Sequence, residues 1–140
     1  MTVTSARPSA TGGPGRTETM PCEPESARRA RLLVSAILNT WGIGELADVG
    51  VQVVAELVNN AIDHTRCRVV RVLVTRPAEG VVRIGVADNC KEAPEMRVLD
   101  DDSEEGRGLF LVDAMSRRWG CDRKRRGKVV WAELEASAKC

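Results

Sequence analysis

Glu56 and Asn60 stand four residues apart in the stretch Glu56-Leu57-Val58-Asn59-Asn60-Ala61-Ile62-Asp63-His64-Thr65. In a helix that spacing puts both on one face, roughly 6 Å apart at Cβ. A carboxylate and an amide side by side suit a hydrated divalent cation. Mg2+ takes oxygen ligands at roughly 2.1 Å and keeps several waters, so it asks for few protein ligands. The Asn60 carbonyl oxygen would be one of them. Glu56, one turn away, would polarise a water or hydroxyl near the metal. Leu57, Val58, Ala61 and Ile62 form the opposite, apolar stripe, which would pack on a sheet. The same residues also fit an amphipathic helix whose polar face is simply wet, because Glu-x-x-x-Asn is a common spacing.

Two other stretches carry potential chemistry. Gly106-Arg107-Gly108 precedes the helical pattern Leu109, Leu111, Val112, Ala114 and Met115. Glycines that open a helix leave backbone N–H groups exposed, and the helix dipole favours negative charge there, which makes a phosphate site. The same glycines also fit a plain turn. No Gly-Lys-Ser/Thr follows, so this is not a Walker loop, and a long loop rather than a tight strand-to-helix turn precedes it, so it is not a Rossmann fingerprint. Asp88 ends a strand beside Gly85 and Ala87, small residues expected to leave room for a flat ligand. A carboxylate at the bottom of an apolar slot accepts a hydrogen bond from an exocyclic amine such as that of adenine. A strand-terminal Asp capping a turn is the plainer alternative.

The elements that must position these residues follow from periodicity. At 140 residues the chain is one domain with a tail. A chain of this size buries roughly two thirds of its unfolded surface and needs no staples. Residues 1–18 are rich in Ser, Thr, Gly and Pro and read as a disordered tail. The domain is expected over 19–135, with a short tail at 136–140. Thr17 to Cys22 reads as a short edge strand. A helix begins at Ser26, buries Ala30, Val34 and Ile37, and stops at Gly42 and Gly44. That helix is also a candidate dimer interface. Asp48 reads as the N-cap of a second helix over Val49 to His64, with Val51, Val54, Ala55, Val58 and Ile62 as its stripe. Cys67 to Thr75 and Val81 to Ala87 read as an antiparallel hairpin about the turn Pro77–Gly80. Asn89 to Glu105, with an acidic run at 100–105, reads as a lid or binding loop. Trp119 to Arg123 and Lys128 to Leu134 close the chain as a hairpin around the basic turn Lys124–Gly127.

Composition narrows the function classes. The formal charge of +1 argues against a dedicated nucleic-acid surface, and the Arg and Lys clusters at Arg117–Arg118 and Arg123–Lys128 read as a solvated face and turn. The five cysteines form no Cys-x-x-Cys pair and are odd in number, which disfavours a zinc site or a secreted disulfide framework. No apolar run is long enough for a membrane span or a signal peptide, so a cytoplasmic protein is expected.

The order of these features resembles the GHKL, or Bergerat-type, ATP-binding domain. Glu56 to His64 looks like that family's N box, Val86-Ala87-Asp88 like the start of its G1 box, and Gly106-Arg107-Gly108-Leu109-Phe110-Leu111-Val112 like its G2 box. Within the family, the chain resembles the small anti-sigma-factor kinases, the histidine-kinase-like ATPases that act as serine/threonine kinases. Trp41-Gly42, Trp119-Gly120 and the ending Gly127 to Leu134 look like that group too. The resemblance covers roughly Met20 to Leu134. It implies an α+β, two-layer sandwich, with a mixed, mostly antiparallel sheet and helices on one face. It implies ATP and Mg2+ as cofactors. By similarity, Asn60 coordinates Mg2+ bridging the ATP phosphates. Glu56 is the general base toward a protein serine or threonine hydroxyl, and Asp88 binds the adenine amine. Gly106, Arg107 and Gly108 wrap the phosphates as the lid closes. His64 holds phosphate or the helix end, or is simply structural. The implied partners are proteins, a sigma factor and its antagonist, with no direct nucleic acid, no membrane, and a homodimer as a candidate state.

Two departures stand out. The G1 box usually reads Asp-x-Gly-x-Gly, whereas Asn89-Cys90-Lys91-Glu92-Ala93-Pro94 follows Asp88 here. Without those glycines the backbone beside the base is less free. Asp63 stands at a place often basic in relatives; it either weakens ATP binding or faces solvent. A non-catalytic partner-binding module that kept the fold is therefore the alternative to a kinase. A histidine kinase catalytic domain acting in trans and a DNA-binding domain using the Arg-rich turn are the remaining, weaker alternatives.

Overall fold

Small and branched apolar side chains recur at helical spacing along Glu25–Thr40, and they form helix α1. Ala30, Val34, Ile37 and Leu38 are buried within the chain's own core. An interface on this helix would use its exposed side, which includes Leu32. The computed structural model describes residues 15–64, 68–88, 104–125 and 127–136, with only the backbone at 64 and 104–109. The expected tails at 1–14 and 137–140 and the loop at 89–103 lie outside the described residues.

The chain leaves α1 through Gly42, whose φ of 79° suits a residue without Cβ. The Gly42 amide donates to the Asn39 carbonyl and the Ile43 amide to the Leu38 carbonyl, at 3.1 and 3.0 Å. This is a Schellman cap, and Ile43 packs on the same core as Leu38. A 3-10 turn, Gly44–Leu46, leads straight into helix α2, Ala47–His64. Asp48 thus sits in the first turn of α2 and not at its N-cap. The preceding turn already starts the helix, and a negative charge in the first turn still complements the dipole.

Five strands form one sheet. They are β1 (Arg16–Pro21), β2 (Val69–Ala78), β3 (Val81–Asp88), β4 (Arg118–Lys124) and β5 (Gly127–Glu135), in the order β1-β2-β3-β5-β4. Every pairing among the described residues is antiparallel, in line with the mostly antiparallel sheet expected. The edge strand expected from Thr17, where the expected tail overlaps it, is β1; it starts one residue earlier, with Arg16 to Glu18 paired with Val72 to Val74. The third helix, α3 (Glu104–Met115), packs on α2.

Alternation along the strands separates the two faces of the sheet. Met20, Val70, Val72, Val74, Val82, Ile84, Val86, Val130, Ala132 and Leu134 share one core with α1 and α2. Each fully buried branched side chain of this kind stabilises the fold by about 1.5–3 kcal/mol relative to exposure. Along α2 the buried set is Val53, Val54, Ala55, Leu57, Val58 and Ala61, with Val51 and Ile62 only half-buried. The buried arc is broader than a single stripe because α2 meets α1, α3 and the sheet at once.

The opposite face carries no helix among the described residues. There the ring of Trp131 lies over Gly120, where a Cβ would meet ring carbon Cζ2 at 2.8 Å. Arg83 stacks on that ring at 4.2 Å from its centroid and Arg118 at 5.5 Å.

Candidate nucleotide site

Helix α2 carries Glu56 and Asn60 one turn apart on a half-buried flank, while Leu57 and Val58 are buried on the core side. The expected division of this helix into a polar flank and an apolar stripe holds. Glu56 lines a groove of about 550 Å3 together with Arg31 of α1 and Gln52, Ala55 and Asn59 of α2. Asn60 is not in that lining; 100° of rotation per residue turns it away from Asn59. Glu56 therefore borders an open groove on one side and Asn60 on the other. Asp63 is exposed, so its charge is turned toward solvent. The His64 side chain lies outside the described residues.

No cluster of three or more His, Cys, Asp or Glu side chains suited to a metal occurs among the described residues. A site built on Asn60 would then leave most Mg2+ ligands to water and to phosphate oxygens, which is the ion's ordinary habit beside nucleotides.

Asp88 ends β3 on the helix side of the sheet and is 6% exposed. A carboxylate in that position, at the end of an apolar strand, fits the amino edge of a purine. Gly85 and Ala87 do not make the room expected of them. The period of two sends them to the opposite face, where a Cβ at Gly85 would meet Val129 at 3.3 Å. Their small size serves the packing of that face and not a ligand beside Asp88.

Lys128 was not singled out by its sequence context, which reads as a basic turn. In the fold it is Asp88's register partner on β5, and its Nζ donates to Asp88 Oδ2 at 3.2 Å. The two side chains are only 11% and 4% exposed. The signal was present: Lys128 leads the alternating inward series Val130, Ala132, Leu134. The neighbouring Arg123, Lys124 and Arg125 are exposed, as expected of a solvated turn.

Gly106, Arg107 and Gly108 lie inside α3, which starts at Glu104. The helix begins two residues before the glycines expected to open it. Gly106 still falls among the first amides without an intrahelical acceptor, while the Gly108 amide lies far enough along to enter the ladder. The Arg107 side chain lies outside the described residues. On the far side of the sheet, Glu133 is 3% exposed and holds Arg83 at 2.6 Å, Arg118 at 2.8 Å and Arg117 at 3.8 Å. Burial alone would push its carboxyl up, but the hydrogen bonds and charges of Arg118 and Arg83 together hold it below the usual carboxylate value. Burial also pushes the Cys121 thiol up.

No helix of the described residues is long and apolar enough to cross a membrane. No curated protein matches the chain. Among solved structures, that of the RsbU and RsbW domains of Rv1364c from Mycobacterium tuberculosis matches with a TM-score of 0.66 at 20% identity. The match covers 91% of this chain and 34% of that one, so this chain spans about a third of it, and the likeness is one of fold. The family model of the histidine kinase-like ATPase domain matches residues 20–134, from the inward-facing Met20 of β1 to the inward-facing Leu134 of β5. That span takes in every helix and all or part of every strand described above, and the chain belongs to the histidine kinase-like ATPase domain family.

Proposed function

We propose that the chain binds Mg·ATP and acts as a protein serine/threonine kinase of the anti-sigma-factor type, binding a sigma factor and phosphorylating an antagonist protein. The observation that carries this reading is Asp88, a carboxylate kept buried at the end of β3 on the helix side of the sheet. Such a group is costly to bury unless it is matched by hydrogen-bond donors. When bound, Mg·ATP supplies the phosphoryl group and the metal's charge. Asp88 accepts the exocyclic amine of the base. Asn60 offers its side-chain oxygen to the metal, and Glu56 accepts the proton of an incoming serine hydroxyl. The groove beside Glu56 gives that hydroxyl a way in. The fold match to an RsbW-containing chain supports protein partners of the partner-switching kind. A cytoplasmic location accords with a thiol such as Cys121 that is outside any disulfide.

Calorimetric titration of Mg·ATP into the protein and into Asn60→Ala tests the reading. Binding that requires Mg2+ and weakens about 100-fold in the variant is expected, the upper range for losing a group that orders a metal site. A folded wild-type protein that binds no Mg·ATP would sink the kinase and leave a partner-binding module.

A further inference from the structure

Glu18, Glu133 and Glu135 each hold an arginine. The groove between α1 and α2 is built the other way. Arg31 of α1 and Asp48 and Glu56 of α2 line it, and none of the three makes a side-chain hydrogen bond or ion pair with another described residue. The same holds for Gln52 and Asn59 beside them. The helices keep the charges apart. Asp48 and Glu56 stand about 12 Å from each other along the axis of α2, and Arg31 stands on another helix. Ala55 and Val49 add apolar surface to the lining. Asp48, Gln52, Glu56 and Asn59 recur at helical spacing on one face of α2, so the groove follows that helix for about 16 Å. An extended chain covers such a length with about five residues.

We infer that this groove takes an extended segment of the protein partner, with an acidic residue of the segment on Arg31. The place of the acceptor hydroxyl, at Glu56, rests on the kinase reading above; the charge pattern does not. Arg31 offers a planar fork of donors that matches a carboxylate, and it is exposed and not engaged by the chain's own carboxylates. Gln52 and Asn59 each carry an amide that both donates and accepts, which suits the backbone of a segment whose own N–H and C=O groups have no partners. Asp48, two turns from Glu56, repels an acidic residue at its own end, so the segment carries its negative charge where it meets Arg31 and not throughout. A nucleic acid, negative along its whole length, would meet both Asp48 and Glu56 and does not fit this pattern. Arg31 is thus a specificity-determining residue for the partner.

The test is an NMR titration of the full chain, without nucleotide and at low salt, with two capped peptides. One is acetyl-Ala-Ala-Asp-Ser-Asp-Ala-Ala-amide, and the other has lysine at both Asp places. The wild type is expected to prefer the acidic peptide about fivefold, the upper range for an exposed ion pair. The shifted amide signals should be those of Gln52, Glu56 and Asn59. Arg31→Glu should reverse the preference, a change that a merely structural role would not produce. The wild-type preference and its shift map need no variant, so an unfolded substitution does not spare the inference. Equal binding of the two peptides, no binding of either, or shifts confined to another surface overturns it. So does a change of oligomeric state in Arg31→Glu by sedimentation with the groove's signals unmoved by peptide, which would put a second copy of this chain in the groove. Because no nucleotide is present, the two readings fail separately. A wild type that binds the acidic peptide but no Mg·ATP loses the kinase and keeps the groove, and one that binds Mg·ATP but no peptide does the opposite.

Discussion

Two buried carboxylates sit on opposite faces of one sheet, and they are treated differently. Glu133, on the face without helices, is shared among Arg83, Arg117 and Arg118, two of which also stack on Trp131. Asp88, on the helix side, meets the ammonium of Lys128 across the strand register. Guanidiniums are planar forks that lock onto a carboxylate, whereas an ammonium is a rotatable point charge that can serve two acceptors. The first arrangement ties three side chains and a ring into one fixed network. The second pairs one carboxylate with one ammonium across the strand register. Burial of a carboxylate does not by itself nominate a site; the geometry of its partners decides.

The sharpest way to break this contrast is to remove each carboxylate in turn. Glu133→Ala is expected to lower stability by about 3 kcal/mol, the low end for breaking a buried pair, because its arginines are partly exposed and can rehydrate. Mg·ATP affinity of the folded fraction should stay within about twofold, since additive effects are usual for sites without shared partners. Asp88→Asn should differ in binding, costing at least about tenfold in Mg·ATP affinity besides about 3 kcal/mol of stability, because the nearly buried Lys128 ammonium loses its counter-charge. Urea denaturation and calorimetry on both proteins measure the two pairs of numbers. Similar binding losses in both variants would erase the distinction.

Acid should single out Glu133 more gently. Its carboxyl is held below its unfolded value, so its contribution is full above about pH 4.3 and is lost as pH falls through the folded value. The wild type should lose stability between about pH 5 and pH 3 more steeply than Glu133→Gln, which has no proton to take up at this position. Parallel acid profiles of urea midpoints would show that the arginine network does not favour the ionised form. The smallest effect is expected at an exposed pair. Arg29 holds Glu18 at 2.8 Å, with the side chains 51% and 36% exposed. Arg29→Ala should cost no more than about 0.5 kcal/mol and vanish in high salt. A loss as large as that of Glu133→Ala would mean that burial is not what separates these carboxylates.

Much of this molecule is legible along the chain, because its signals are local. Gly42 stops α1 where a left-handed residue is required, and the apolar period of α2 places Glu56 and Asn60 on its polar flank. Both hairpins follow from alternating strands around turn residues. The misreadings share a cause, which is neglect of what lies across the sheet. Gly85 and Ala87 precede Asp88 closely, yet alternation sends them to the face of Val129 and Trp131. Ala30, Val34 and Ile37 take their place in the core because α2 and the sheet cover them.

The sequence by itself determined the elements, their order, and the family boxes from Glu56 to Val112, since capping, periodicity and motif spacing act within a few residues of the chain. Tertiary structure alone decided which cation each buried carboxylate meets. Forty residues separate Asp88 from Lys128 and fifty separate Arg83 from Glu133, and only the antiparallel pairing of β3 with β5 brings each charge to its partner.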